Sequence, residues 1–293
     1  MQYTPVDALP WVGNGGRMLT SLEEMQAALA GTPLADGALE ELGPEMFVLY
    51  LHPDMRPLDS WRTARDLMPV TGRRPVLAPD LEDLSDPTTE EFEAFSAAVR
   101  RTSPWEVWRD RYFDGPVDRD ELEGMQRNDT LRAVAVEAAE AIDFPVSLRV
   151  LDRWLYERIR LDSTVLKSLE GRRCFPNPWS PFGGWVENQI VFLPTVEPHA
   201  IATWFSYFPA DTPEGQVGLG AVLDEWSQRW GAEVAATAGT LMLMDVQHRP
   251  SSGGDAWEAA QQIRRMAGSV QFHAWHLALL VERCDTWVLH DRP

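Results

Sequence analysis

An α+β fold is expected for this chain: a mixed or antiparallel sheet flanked by helices, with a helical middle region. Three observations carry that expectation. Short apolar runs of strand length occur at Met46–Leu51 and Pro75–Ala78. Long stretches with apolar residues three and four apart lie between them and after them, which is the helical period. Near the C-terminus two strand-like runs, 232–237 and 240–246, flank Ala238-Gly239, a spacing that reads as a β-hairpin.

The elements follow in order. Residues 1–19 hold Pro5, Pro10, Gly13, Gly15 and Gly16 and read as loop. Ser21-Leu22-Glu23-Glu24 fits a capping box: the serine takes an orphan amide and Glu24 reaches back. Leu22, Met25, Ala28 and Leu29 then share a helical face. Residues 31–45, with three glycines and two prolines, read as loop. After the Met46–Leu51 strand, Asp59 or Ser60 is expected to cap a helix with Trp61, Ala64, Leu67 and Met68 on its face, stopped by Pro69 and Gly72.

Asp80–Glu93 contains seven carboxylates and no base. Its second half opens a helix with Phe92, Phe95 and Val99 inward, and acids at a helix start suit the macrodipole. Ser103-Pro104 predicts a further helix carrying Trp105, Trp108 and Tyr112. Residues 114–120 read as a turn. Asp129 predicts a helix start, with Leu131, Val134, Ala138 and Ile142 inward. Residues 150–170 read as one long helix, and 171–184 as a Pro/Gly/aromatic loop. Trp185–Leu193 is a strand and Gln216–Trp230 a helix closed by Gly231. Helices from Gly253 to about Met266 and over 274–284 lead to a terminal strand, Thr286–His290. No internal repeat is visible. The expected organisation is an N-terminal α/β and helical region, 1–170, and a C-terminal α+β region, 185–293. The two stand either as domains or as one packed unit.

Charge narrows the function. There are 26 basic and 45 acidic residues, net −19, and each third of the chain is acidic. Nucleic acid and anionic membrane need a basic surface, so neither is expected as a partner. No apolar run reaches the length of a membrane span. Met1-Gln2-Tyr3-Thr4-Pro5 lacks the charged and apolar regions of a secretory signal. Cys174 and Cys284 form no C-x-x-C pair, as in a protein with reduced thiols. A cytoplasmic location is expected.

Two blocks resemble a known family. Trp61–Leu77 runs through T-G-R-R-P-V-L, and Asp224-Glu225-Trp226 leads through Arg229-Trp230-Gly231-Ala232-Glu233-Val234 and Thr240–Leu243 to Trp287–Pro293. This pattern, mainly residues 61–77 and 222–293, resembles the DUF4253 family of bacterial proteins. The resemblance implies an α+β fold and a bacterial, cytoplasmic origin. It carries no activity and no functional residue.

Candidate site residues are few. His273 and His276, three apart, can meet on one helical face and share a divalent metal. A third ligand would come from Glu258, Glu282, Asp285 or His290. No cofactor is otherwise expected. Glu187 follows the aromatic loop, and burial there would raise its pKa and suit it to proton transfer; an outward position on a strand is the plainer alternative. Cys174 lies beside Arg172 and Arg173, which favour a thiolate; an inert loop thiol is the plainer alternative. Trp179, Phe182, Trp185, Trp204 and Tyr207 belong to an aromatic crowd over residues 175–208. They pack a core or line a binding surface.

The leading expectation is a non-catalytic, acidic, cytosolic binding protein of immunity or regulatory type. It would recognise a protein or small-molecule partner through acidic and aromatic surface. One alternative is an enzyme of unrecognised type with an aromatic-lined cleft, such as a metal-assisted hydrolase using Glu187, His273 and His276. The other is a nucleic-acid mimic.

Overall fold

A computed structural model describes residues 17–42, 45–78, 81, 84–109, 114–171, 189–268 and 272–291. Helix α1 (Leu22–Leu29) starts with the expected capping box: Ser21 accepts from the Glu24 amide, and Glu24 accepts from the Ser21 amide. Within the segment read as loop lies a short strand, β1 (Ala38–Glu41), paired antiparallel with β2 (Phe47–Tyr50). Three of its four residues are exposed. An edge strand without a buried face leaves no alternation to read.

Helix α2 (Pro57–Asp66) is not capped by Asp59 or Ser60. Pro57 is its first residue, after Arg56, because proline's fixed φ starts a helix without a side-chain cap. Its Trp61 Nε1–H donates to the Pro75 carbonyl, 2.8 Å, and Arg62 and Arg65 hold the buried Asp245 carboxylate. The one-turn α3 (Met68–Thr71) contains Pro69 and ends at Gly72, φ 66°. Strand β3 (Arg74–Leu77) follows. Helix α4 (Thr89–Val99) opens on a second capping box, Thr88 with Glu91.

Where a helix is expected after Ser103-Pro104, residues 104–108 are turns, and Tyr112 lies outside the described residues. Trp108 is buried, and the Trp105 indole N–H donates to Glu225, 2.8 Å. These long-range contacts override the local pattern. The 114–120 segment contains β4 (Pro116–Val117), paired with β5 (Val146–Ser147). Between them lie α5 (Glu123–Gln126) and α6 (Arg132–Ala141), the latter starting three residues beyond Asp129. The single helix expected over 150–170 is two, α7 (Leu148–Arg160) and α8 (Ser163–Gly171). Asp162 divides them, its Oδ1 accepting the amides of Thr164 and Val165 as a helix cap does.

Beyond the 172–188 segment come β6 (Gln189–Leu193), α9 (Ile201–Trp204), α10 (Pro213–Trp230) and the hairpin β7 (Ala232–Ala238) with β8 (Leu241–Val246). Gly231 and Gly239, at φ 57° and 60°, terminate α10 and turn the hairpin. Helices α11 (Gly253–Met266) and α12 (Ala274–Arg283) precede β9 (Thr286–His290).

The seven longer strands form one mixed sheet, β1-β2-β6-β3-β7-β8-β9. Every neighbouring pair is antiparallel except β3 with β7. Strand β6, from beyond the 172–188 segment, lies between β2 and β3, from before it. Strands of both regions thus share one hydrogen-bonded sheet. Both faces of its central strands are buried. Leu77, Ile190, Phe192 and Leu243 pack with α1 and α2; Val76, Val191, Leu193, Met242 and Met244 pack with α6, α7 and α10–α12. The change of side from one residue to the next is the strand period. No helix among the described residues is long and apolar enough to cross a membrane.

Candidate functional site

Three polar side chains from distant segments form a line on the side of the sheet covered by α10. Ser96 lies on α4, His199 in the helical turn Pro198–Ala200 after β6, and Asp224 on α10. Ser96 Oγ is 2.8 Å from His199 Nε2. His199 Nδ1 is 3.0 and 3.1 Å from the two Asp224 oxygens. A carboxylate only accepts, so Nδ1 carries the proton and donates to Asp224. In the neutral imidazole Nε2 then accepts from the Ser96 hydroxyl. Ser96 is 5% exposed, His199 1%, and the Asp224 side chain 21%.

Packing encloses the line. The Phe92 ring stacks on His199 at 5.9 Å, and Phe95 lies at 6.1 Å. Gly220 admits them: a Cβ there would stand 2.8 Å from Val99, 3.0 Å from Phe95 and 3.3 Å from His199. Close by, the buried Arg74 donates to the Val196 carbonyl and to Glu233. Burial lowers its pKa, while Glu233, Glu197 and Asp224 oppose that shift. On α10 beside Asp224, burial raises the Glu225 carboxyl from its ordinary pKa, against the opposing Trp105 hydrogen bond.

The residues expected from the sequence fall elsewhere. Trp204 and Tyr207 are buried. Trp204 meets Phe92 edge-on at 4.9 Å, and the Tyr207 hydroxyl donates to the Met266 carbonyl. They are core residues rather than binding surface, because each fills the space between the sheet and its helices. Trp179, Phe182, Trp185, Glu187 and Cys174 lie outside the described residues. His273 and His276 serve different neighbours. His273 lies 3.3 Å from the buried Asp152 carboxylate and 3.6 Å from Glu121. His276 packs against Phe272 and Trp275. Asp152 also accepts the Ala274 amide at the start of α12. The Asp152 hydrogen bond raises the His273 pKa, burial opposes it, and Asp152 and Glu121 add to the rise.

Of the other expected ligands, Glu258 pairs with Arg229 and Glu282 with Tyr156 and Arg160. Asp285 lies 3.8 Å from Arg62. Among the described residues no three His, Cys, Asp or Glu side chains are grouped to hold a metal ion. Burial raises the Cys284 thiol, so it is not poised as a thiolate.

Sequence reasoning missed Ser96, His199 and Asp224. No local motif joins them: Ser96 and His199 are 103 positions apart, and His199 and Asp224 are 25 apart. No family model, curated protein or solved structure matches the chain.

Proposed function

We propose that this protein is an acidic, cytosolic binding protein of immunity or regulatory type, recognising a partner with a basic surface. The observation that carries the reading is the uncompensated charge at the start of α4. Asp86, Glu90, Glu91 and Glu93 are exposed there, and no base occurs from Pro75 to Val99. Some acids elsewhere meet arginines: Asp59 with Arg56, Glu123 with Arg127, Asp129 with Arg132, Glu157 with Arg153. Among the described residues none of these four acids has such a pair. An unneutralised patch draws an oppositely charged partner and speeds encounter. The support is electrostatic; the two described members of the expected aromatic surface, Trp204 and Tyr207, lie in the core.

The test is native mass spectrometry of the protein purified from its own host without chelators, beside an E90K/E93K variant. Glu91 is left intact because it closes the α4 capping box. A co-purified protein in discrete stoichiometry, lost in the variant and weakened by added salt, supports the reading. A complex indifferent to both changes, or a bare chain, counts against it.

A further inference from the structure

We propose that Ser96 is a nucleophile that takes an acyl group from an activated carboxylic ester, with His199 as its base and Asp224 positioning His199. This activity goes beyond the binding reading and uses none of the exposed α4 acids.

The first support is the direction of the hydrogen bonds. Asp224 fixes the proton on Nδ1, leaving Nε2 to receive the serine proton. This is the division of roles by which a Ser-His-Asp relay works, and such relays are recognised by geometry rather than chain order. The second is the partner that Ser96 takes. Within helices Thr63 and Thr71 donate to the carbonyl four residues back, as such residues commonly do. Ser96 instead contacts a histidine. The third is the apolar wall of Phe92, Phe95 and Val99, since electrostatic interactions strengthen where water is excluded.

The fold also sets the substrate class. Ser96 sits inside α4, so its amide serves the helix ladder and is not free to stabilise an oxyanion. The ester must therefore bring a good leaving group, such as a phenolate or thiolate. In the step, the Ser96 Oγ–H proton passes to Nε2 as the Oγ–C bond forms. The bond from the acyl carbon to the leaving group then breaks, and the imidazolium returns the proton to that group. Ser96 and His199 are nearly closed off, so the ester reaches them through a local opening of the surrounding packing that leaves the Ser96–His199 contact in place.

The test exposes the full-length protein to p-nitrophenyl acetate and maps the acetyl group by peptide mass spectrometry. The expected result is a p-nitrophenolate burst with the adduct on Ser96, lost in S96A. His199→Gln slows the adduct about 100-fold. Asp224→Asn, which presents an N–H to Nδ1 and favours the wrong tautomer, also slows it. Circular dichroism confirms that each variant is folded; if S96A is not, the wild type and H199Q decide. Acetylation of Ser96 no faster than of other serines, or unchanged in folded H199Q, overturns the proposal.

Discussion

Burial and partners give the protein's histidines different physics. His199 lies between a hydroxyl and a carboxylate in an apolar enclosure. His273 is half-buried at the start of α12 and faces Asp152, Glu121 and Arg264. The Asp152 and Glu121 carboxylates hold the His273 imidazolium above its ordinary pKa, against burial and Arg264. A raised folded pKa contributes stability that is complete below the unfolded value and disappears as pH rises through the folded value. His273→Gln is therefore expected to cost stability at pH 5 and little at pH 9, read from urea denaturation midpoints at each pH. A constant difference across that range would contradict the pairing. Legibility at this scale follows distance along the chain. The Ser21–Glu24 capping box was readable because both partners lie within one helical turn. The Asp152–His273 pair, like the Ser96 line, joins segments that the sequence does not connect.

Among the elements, helices with an apolar stripe were legible, and the misread ones had lost or shared that stripe. Leu151, Leu155 and Ile159 continue into Leu166 at helical spacing, and only the Asp162 cap separates α7 from α8. Trp105 and Trp108 have helical spacing, yet α10 and the core hold them in a turn. The α4–α10 contact turns on Gly220, where Val99 and Phe95 leave no room for a methyl group. Gly220→Ala is expected to destabilise the protein by about 1–3 kcal/mol, the ordinary cost of overpacking. Gly124→Ala on α5, where a Cβ meets nothing within 4 Å, provides the control and is expected to be neutral or slightly stabilising. Chemical denaturation of both variants makes the comparison; equal effects would mean that the approach at Gly220 is not tight.

The sheet sets the behaviour of the whole molecule. Strand β6 takes its hydrogen bonds from β2 and β3, and β3 in turn separates β6 from β7. A fragment 1–170 keeps β2 and β3 without the strand that joins them. A fragment 185–293 keeps β6 without either neighbour. Neither is expected to fold alone, because unpaired central strands leave buried amides and carbonyls unsatisfied. Proton NMR of each fragment should show poor amide dispersion, and mixing the two should restore it. A well-dispersed spectrum from 185–293 alone would mean that the C-terminal region holds its own core.

By itself the sequence determined the α+β class, most of the longer helices, the β7–β8 hairpin, the capping box of α1 and the acidic balance. Each is encoded within a few residues, by period, by cap chemistry or by composition. Tertiary structure alone decided the sheet order, the edge strand β1, the turn at 104–108, the burial of Trp204 and Tyr207, and the meeting of Ser96, His199 and Asp224. These depend on which surfaces pack once the chain has closed, and contacts between segments far apart leave no periodic trace in the residues that make them.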